Sequence, residues 1–272
     1  MTGRIVTLTT DFGESHYVAQ MKGILFSQVP DVTIIDISHN VTPQNIYEGA
    51  YILRSSAKWF RTKSRPVHVC VVDPTVGSSR KPICILTEKG IFIGPDNGVL
   101  YPAAEMSGMD RTYEIAHKSI FHRKISNVFH GRDVFARAAA MIIQGLPLAK
   151  IGPALELVEK LDLYRFDMKT DERGIWIKFR PLHIDRFGNI ISSLKCDVLD
   201  EIFAKNKPAH LSLHTSGHIF PITRRKAYYK VMKGDLLMTD SSSGEVEIAV
   251  RNGNASEKLD ISLESEIELV LR

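Results

Sequence analysis

An aspartate and an arginine seven positions apart, Asp73 and Arg80, sit where an apolar run gives way to a small-residue loop, in VHVCVVDPTVGSSR. The run, residues 67–72, is too short for a helix and rich in β-branched side chains, so it reads as a fully buried strand. A carboxylate at the C-terminal tip of such a strand stands where open α/β sheets bind ligands. An arginine in the following loop can curl back and fix it by charge-assisted hydrogen bonds. A capped turn with a surface arginine is the competing reading. Asp11, ending the run TLTTD, either joins the same cleft or caps the helix that begins near Ser15. His130, in FHGRD, precedes a helix start. The positive end of the dipole there disfavours imidazolium and leaves a neutral ring that could act as base or acceptor. Asp133, in the first turn, suits the same dipole as a structural residue.

The second half offers two further polar loops. HIDRFGN contains Asp185 and Asn189, a carboxylate and an amide that could reach a polar ligand, or simply a hairpin turn around Gly188. DSSSG, residues 240–244, is followed by Glu247. Its hydroxyls and successive N–H groups could hold a carboxylate, although serine–glycine turns are common. Asp36 and His39 in DISHN read as loop caps. Asp11-Phe12-Gly13 spells the kinase metal-binding tripeptide, but a kinase needs a whole lobe upstream of it, and Asp11 follows only ten residues.

These residues need elements to position them. Strand patterns at 4–9, 32–37 and 67–72 alternate with helix patterns at 16–29 and 46–60, which predicts βαβ units and a largely parallel sheet. Such a sheet brings Asp11, the 36–40 segment and Asp73 to one edge. Residues 83–87 and 91–93 flank Glu-Lys-Gly as a hairpin, and 131–145 reads as a helix ended by a glycine cap. From about Leu161 the pattern changes to short β-type runs at 175–179, 210–213, 235–238, 246–250 and 266–271, separated by Gly, Asn and Ser turns. The expectation is an α/β domain over residues 1–165 with a largely parallel sheet, then an all-β, barrel-like domain over residues 166–272.

A chain of 272 residues carries a net charge of +4, scattered rather than clustered, which is not the footprint of a nucleic-acid binder. Arg224-Arg225-Lys226 is short enough to be a solvated turn. No apolar stretch approaches the roughly 20 residues that span a bilayer, and the N-terminal residues do not read as a signal peptide. Three dispersed cysteines, Cys70, Cys84 and Cys196, argue against a disulfide framework or zinc site and fit a cytoplasmic protein.

The segments TLTTDFG (7–13), VVDPTVGSSR (71–80), GPDNG (94–98), FHGRD (129–133), HIDRFGN (183–189) and SSSGEVEIAV (241–250) occur in one order over nearly the whole chain. In this the sequence resembles the S-adenosyl-L-methionine hydroxide adenosyltransferase family, relatives of the fluorinase and chlorinase. The resemblance implies an α/β N-terminal domain and a β-barrel C-terminal domain. It implies that Asp73, Arg80 and His130 hold a water or hydroxide, that Asp11 binds the ribose diol, and that Asp185 and Asn189 meet the methionine amine and the adenine. Ser242, Ser243, Glu247 and Val250 would complete the ligand site. The implied reaction is hydrolysis of S-adenosyl-L-methionine to adenosine and methionine, with no metal or cofactor. The implied assembly is a homotrimer with ligand between one subunit's N-terminal domain and a neighbour's C-terminal domain. The halogenating branch is expected to carry aromatic hydroxyl residues at positions 73 and 130, and the fluorinase a serine where Gly131 stands, so this chain's departures point to water.

Three other chemistries use the same residues. A metal-dependent phosphoester hydrolase could be built on Asp11, Asp73, Asp96, His130 and Asp133, although Arg80 beside a cation is unfavourable. A sensor could hold the nucleoside without turnover. A halogenase remains the third.

Overall fold

In the computed structural model, residues 4–60, 65–121 and 125–272 are described, and the chain separates into two compact units, one ending at Leu161 and the other spanning Asp162–Arg272.

The first unit alternates strand and helix: β1 (Ile5–Thr10), α1 (His16–Gln28), β2 (Thr33–Ser38), α2 (Ile46–Ala57), β3 (Val67–Val71), β4 (Pro82–Thr87), β5 (Ile91–Pro95), α3 (Tyr101–Met106), β6 (Met109–Glu114), α4 (Lys118–Phe121), a π-helical turn (Gly131–Phe135), α5 (Ala136–Ile143) and β7 (Ala154–Leu155). The strands form one seven-stranded sheet in the order β2-β1-β3-β5-β4-β6-β7. Pairing is parallel from β2 through β5 and antiparallel beyond. The sheet is therefore mixed where a largely parallel one was expected. The reversal comes from the β4–β5 hairpin, whose turn is closed by Gly90 N–H donating to Thr87 Oγ1 at 3.0 Å. β3 is buried along its whole length because β1 and β5 flank it and helices cover the sheet. Leu8, Val69 and Ile93 share one core with Met21 and Leu25 of α1 and Ala138 of α5. Burying each larger side chain of this kind contributes about 1.5–3 kcal/mol. Gly94 of β5 permits this close packing, since a Cβ there would lie 2.4 Å from the Cys70 carbonyl oxygen.

The helix expected over 131–145 begins as the π-helical turn, and the glycine at its end is present: Gly145 has φ +100° and Leu146 N–H donates to Met141 O at 3.0 Å.

The second unit contains β8 (Asp167–Asp171), β9 (Gly174–Phe179), β10 (Pro181–Ile184), β11 (Ile190–Lys195), α6 (Cys196–Asn206), β12 (Leu211–Thr215), β13 (His218–Pro221), β14 (Thr223–Arg224), β15 (Leu236–Asp240), β16 (Glu245–Val250), α7 (Ala255–Leu259) and β17 (Ile267–Leu271). Two five-stranded sheets, β10-β11-β16-β15-β14 and β13-β12-β17-β9-β8, stand where a barrel-like domain was expected, and they do not close into a barrel. Ile190, Met238 and Ile248 of one sheet pack with Ile177, Leu213 and Leu269 of the other. Nor is the unit all-β. In α6, Cys196, Leu199 and Ile202 recur at three-residue spacing and enter the same core, a helical period hidden among charged neighbours. Among the described residues, no helix is long and apolar enough to cross a membrane.

Candidate active site

β1, β2 and β3 run parallel, so their C-terminal ends share one edge of the sheet. Thr10 pairs with Val71, which puts Asp11 and Asp73 side by side just beyond. Both line a cleft of about 370 Å³, together with Phe12, Tyr17, Gln44 and His130. The loop after β3 folds back through successive turns, with Val76 N–H donating to Asp73 O and Ser78 N–H to Thr75 O. It returns Arg80 to the strand end. Arg80 Nε donates to Asp73 Oδ1 at 3.0 Å, and its Nη2 donates to Asp73 Oδ2. The same Nη2 lies 2.9 Å from His130 Nδ1. The guanidinium also stands over the Phe135 ring, 5.3 Å from its centroid. The two charged side chains are 4% and 7% exposed, for Asp73 and Arg80 respectively, so this is a buried bidentate ion pair, not a surface arginine.

Gly77 lets two loops meet. Its φ is +82°, and a Cβ there would lie 2.4 Å from the carbonyl oxygen of Asn127, in the loop that leads to His130. His130 caps the π-helical turn. Asp133 in that turn accepts from Arg132 Nε at 2.8 Å, Arg132 Nη2 at 2.9 Å and Ser126 N–H at 2.9 Å, which ties the loop down. Burial raises the Asp133 pKa, but these bonds outweigh it and the carboxyl is held below its ordinary value. Burial, then the Arg80 charge, lowers the His130 pKa, with Asp73 and Asp133 opposing in part.

Asp11 does not cap α1. Ser15 occupies the cap position without a side-chain bond, and Asp11 Oδ2 accepts from Gln44 N–H at 2.8 Å. Burial raises the Asp11 pKa against that hydrogen bond, and the Asp73 charge adds to the rise. Gln44 itself has φ +66°, an uncommon conformation for a non-glycine residue and one concentrated at functional sites. Asp36 and His39 are not loop caps. Lys22 pairs with Asp36, His39 Nε2 lies 3.1 Å from Asp36 Oδ1, and His39 Nδ1 bonds Thr10 Oγ1 at 2.9 Å. That chain of contacts braces the ends of β1 and β2 behind Asp11.

The carboxylates of a metal site do not converge here. Asp96 accepts from Glu159 N–H, Asp133 is taken by Arg132, and Asp73 by Arg80. Among the described residues no group of three His, Cys, Asp or Glu could hold a metal ion.

In the second unit, Asp185 closes the β10–β11 turn. Its Oδ1 accepts from the N–H groups of Phe187 and Asn189 at 2.8 and 2.9 Å, and its Oδ2 from Asn189 Nδ2 at 3.0 Å. Gly188, at φ +80°, packs against the Asn254 side chain that caps α7. Glu247 lies buried on the adjoining β16, paired with Ile191, and accepts from the Tyr228 hydroxyl. Burial and the Asp185 charge raise the Glu247 pKa, and Tyr228 lowers it in part. Burial, then Glu247, raises that of Tyr228. Asp185, Asn189 and Glu247 are thus neighbours. Ser242 and Ser243 are not among them. They occupy the β15–β16 turn, beyond Glu245, whereas the Asp185 turn lies near Ile248 at the other end of β16. Val250 is packed in the core of the unit and its carbonyl accepts from Gly253 N–H.

Sequence reasoning missed Gln44, Asn97 and Tyr228. Asn97 Nδ2 donates to Val72 O at 2.9 Å and steadies the strand end beside Asp73. Its signal was the turn-forming GPDNG segment. No local pattern announces Tyr228 or Gln44.

Family comparisons agree with this layout. The profile of the SAM hydroxide adenosyltransferase N-terminal domain matches residues 6–152, and that of the C-terminal domain matches residues 181–268. A Methanocaldococcus jannaschii protein named (R)-S-adenosyl-L-methionine hydrolase is 38% identical, over 98% of this chain and 95% of the relative. One of the same name from Salinispora tropica is 31% identical over 94% of each. The solved structure of an uncharacterized conserved protein from Thermotoga maritima superposes with a TM-score of 0.83 at 34% identity, covering 97% of this chain and 99% of that one. Relatives named fluorinase match at 25–27% identity over 56–72% of this chain.

Proposed function

The chain belongs to the SAM hydroxide adenosyltransferase family, and from that premise we infer that it hydrolyses S-adenosyl-L-methionine to adenosine and L-methionine. The observation that carries the reading is that Asp73 and His130, joined through Arg80, line one cleft with Asp11. The sulfonium makes methionine a neutral leaving group, so departure needs no acid. The barrier lies in the nucleophile, because water is weak and hydroxide scarce at neutral pH. In-line attack at the ribose C5′ needs a positioned, partly desolvated oxygen. Asp73 is fixed by the bidentate grip of Arg80, and with His130 it orients that oxygen. Asp11 accepts from both ribose hydroxyls. Asp185, Asn189 and Glu247 are assigned to the remainder of the ligand, with two carboxylates suited to its cationic amino group; Ser242, Ser243 and Val250, which the family resemblance also implied, lie apart from this group and are not assigned a contact. No metal takes part, since Arg80 fills the place a cation would occupy at Asp73.

The family resemblance further supports a homotrimer whose sites combine one subunit's N-terminal domain with a neighbour's C-terminal domain. Mixing inactive Asp73→Asn and Asp185→Ala variants would then restore part of the activity, and no recovery after subunit exchange would reject shared sites. Three free, buried cysteines are consistent with a cytoplasmic enzyme.

The deciding experiment incubates the protein with S-adenosyl-L-methionine of each sulfonium configuration, with and without chloride and a chelator, and identifies the nucleoside. Adenosine formed regardless of chelator supports the reading. A 5′-chloro nucleoside as main product, or loss of activity restored by a divalent cation, refutes it.

A further inference from the structure

We propose that His130 serves this reaction as a hydrogen-bond donor through Nε2, and that Asp73 alone accepts the proton of the attacking water. The inference rests on the function proposed above but turns on the chemistry of one contact. Arg80 Nη2 lies 2.9 Å from His130 Nδ1. A guanidinium carries donors only and stays protonated in proteins. Nδ1 is therefore the acceptor and bears no proton, and the single proton of the neutral ring sits on Nε2. Ring protonation would set an N–H at Nδ1 against the Arg80 N–H. The charged and titratable groups around the ring are Arg80, Asp73 and Asp133, with Asp11 and Tyr17 across the cleft. Burial and Arg80 prevail over the carboxylates and keep the ring neutral.

No protein group among the described residues engages Nε2, and His130 lines the cleft with Asp73. An N–H there can donate to the water oxygen but cannot take its proton. Each Asp73 oxygen accepts one Arg80 N–H and keeps a second lone pair. A water in this corner donates one O–H to Asp73 and accepts from Nε2–H. Its free lone pair then faces the substrate. In the step, the water oxygen bonds to C5′ as the C5′–S bond breaks, and that electron pair returns to sulfur, leaving neutral methionine. One water proton passes to Asp73 and on to solvent, and the other remains as the 5′-hydroxyl of adenosine.

Long-range ¹H–¹⁵N spectra of the ligand-free protein test the tautomer directly, with the His130 signals identified by their absence in His130→Gln and His130→Ala. We expect an unprotonated Nδ1 and a protonated Nε2 at neutral pH. A protonated Nδ1, or an imidazolium, overturns the assignment. In turnover, His130→Ala should lose roughly 10²–10³-fold in kcat, as removal of a preorganised donor does. His130→Gln, which restores an amide donor, should retain more, with the acid limb of its kcat/KM profile unmoved. Disappearance of that limb in His130→Gln would make His130 the base and overturn the proposal. If the protein does not consume S-adenosyl-L-methionine at all, the functional reading fails while the spectra still decide the tautomer.

Discussion

Replacing Gly77 with alanine probes the contact that brings the Arg80 loop to the His130 loop. Two costs are separable. The backbone sits at φ +82°, a left-handed conformation that costs an L-residue about 1–2 kcal/mol. The new Cβ would also stand 2.4 Å from the Asn127 carbonyl oxygen, against an ordinary contact that starts at 3.4 Å. The difference requires the two loops to part by about 1 Å, and a misplacement of that size can cost roughly 10²-fold in rate. Gly145→Ala supplies the control. Its φ of +100° exacts a similar backbone cost, but nothing lies within 4 Å of its Cβ. Urea unfolding should show both variants folded and weakened by about 1–2 kcal/mol, within the 5–15 kcal/mol of a typical domain. Steady-state assays should then divide them, with Gly77→Ala losing about two orders of magnitude in kcat and little in KM, and Gly145→Ala losing neither. If Gly77→Ala turns over as fast as Gly145→Ala, the loop contact does not set the Arg80–His130 geometry.

Asp73→Asn and His130→Ala should each lower kcat far more than affinity, and because both act on one water the double variant should be little slower than the worse single one; multiplicative effects would contradict a shared water. Asp11→Ala should weaken adenosine binding by about 1.5–3 kcal/mol per lost charge-assisted bond in a calorimetric titration, and unchanged affinity would release Asp11 from the ribose. His68, buried between Phe60 and Phe92 and bonded to Thr7 Oγ1, has its pKa pushed down to about 4 by burial, from an ordinary value near 6.5. The neutral ring is the folded form, so its contribution is complete above pH ~6.5 and is lost as pH falls towards 4, about 3 kcal/mol in all. Denaturation across that window should show a shallower pH slope for His68→Gln than for the parent protein, and equal slopes would exclude His68 as the source.

The residues legible in the sequence were those whose signal is local. Five β-branched or apolar residues among the six before Asp73 already place a carboxylate at a strand tip, and Arg80 follows close enough to return. The alternation of periods marked the first unit, and short strands marked the second. Contacts that depend on long-range geometry left no such trace. Tyr228 meets Glu247 across 19 residues, and Gln44 reaches Asp11 across 33, each through a backbone path that no periodicity encodes. The antiparallel half of the first sheet was foreshadowed only by the Glu-Lys-Gly turn. In α6 a narrow apolar stripe of Cys196, Leu199 and Ile202 was masked by charged neighbours. The serine turn misled in another way: its hydroxyls are conspicuous in sequence, but Ser241, not Ser242 or Ser243, closes the loop, through Glu245.

The π-helical turn at Gly131–Phe135, closed by Ala136 N–H on Gly131 O, makes segment length a coded quantity in its own right. Such a turn holds one residue more than an α-helical one. Deleting a single residue there would let α5 run back as a regular helix with His130 nearly in phase, because the bulge is what absorbs the surplus residue. Inserting one more residue is different, since the turn has already taken up its surplus. Everything before the insertion would then be re-phased by about 100° around the helix axis. His130 would swing away from Arg80 although every side chain named in the site remained present. Catalogues of substitutions would score such a variant as intact. In this protein a one-codon insertion at this turn is expected to be as damaging as loss of the histidine itself.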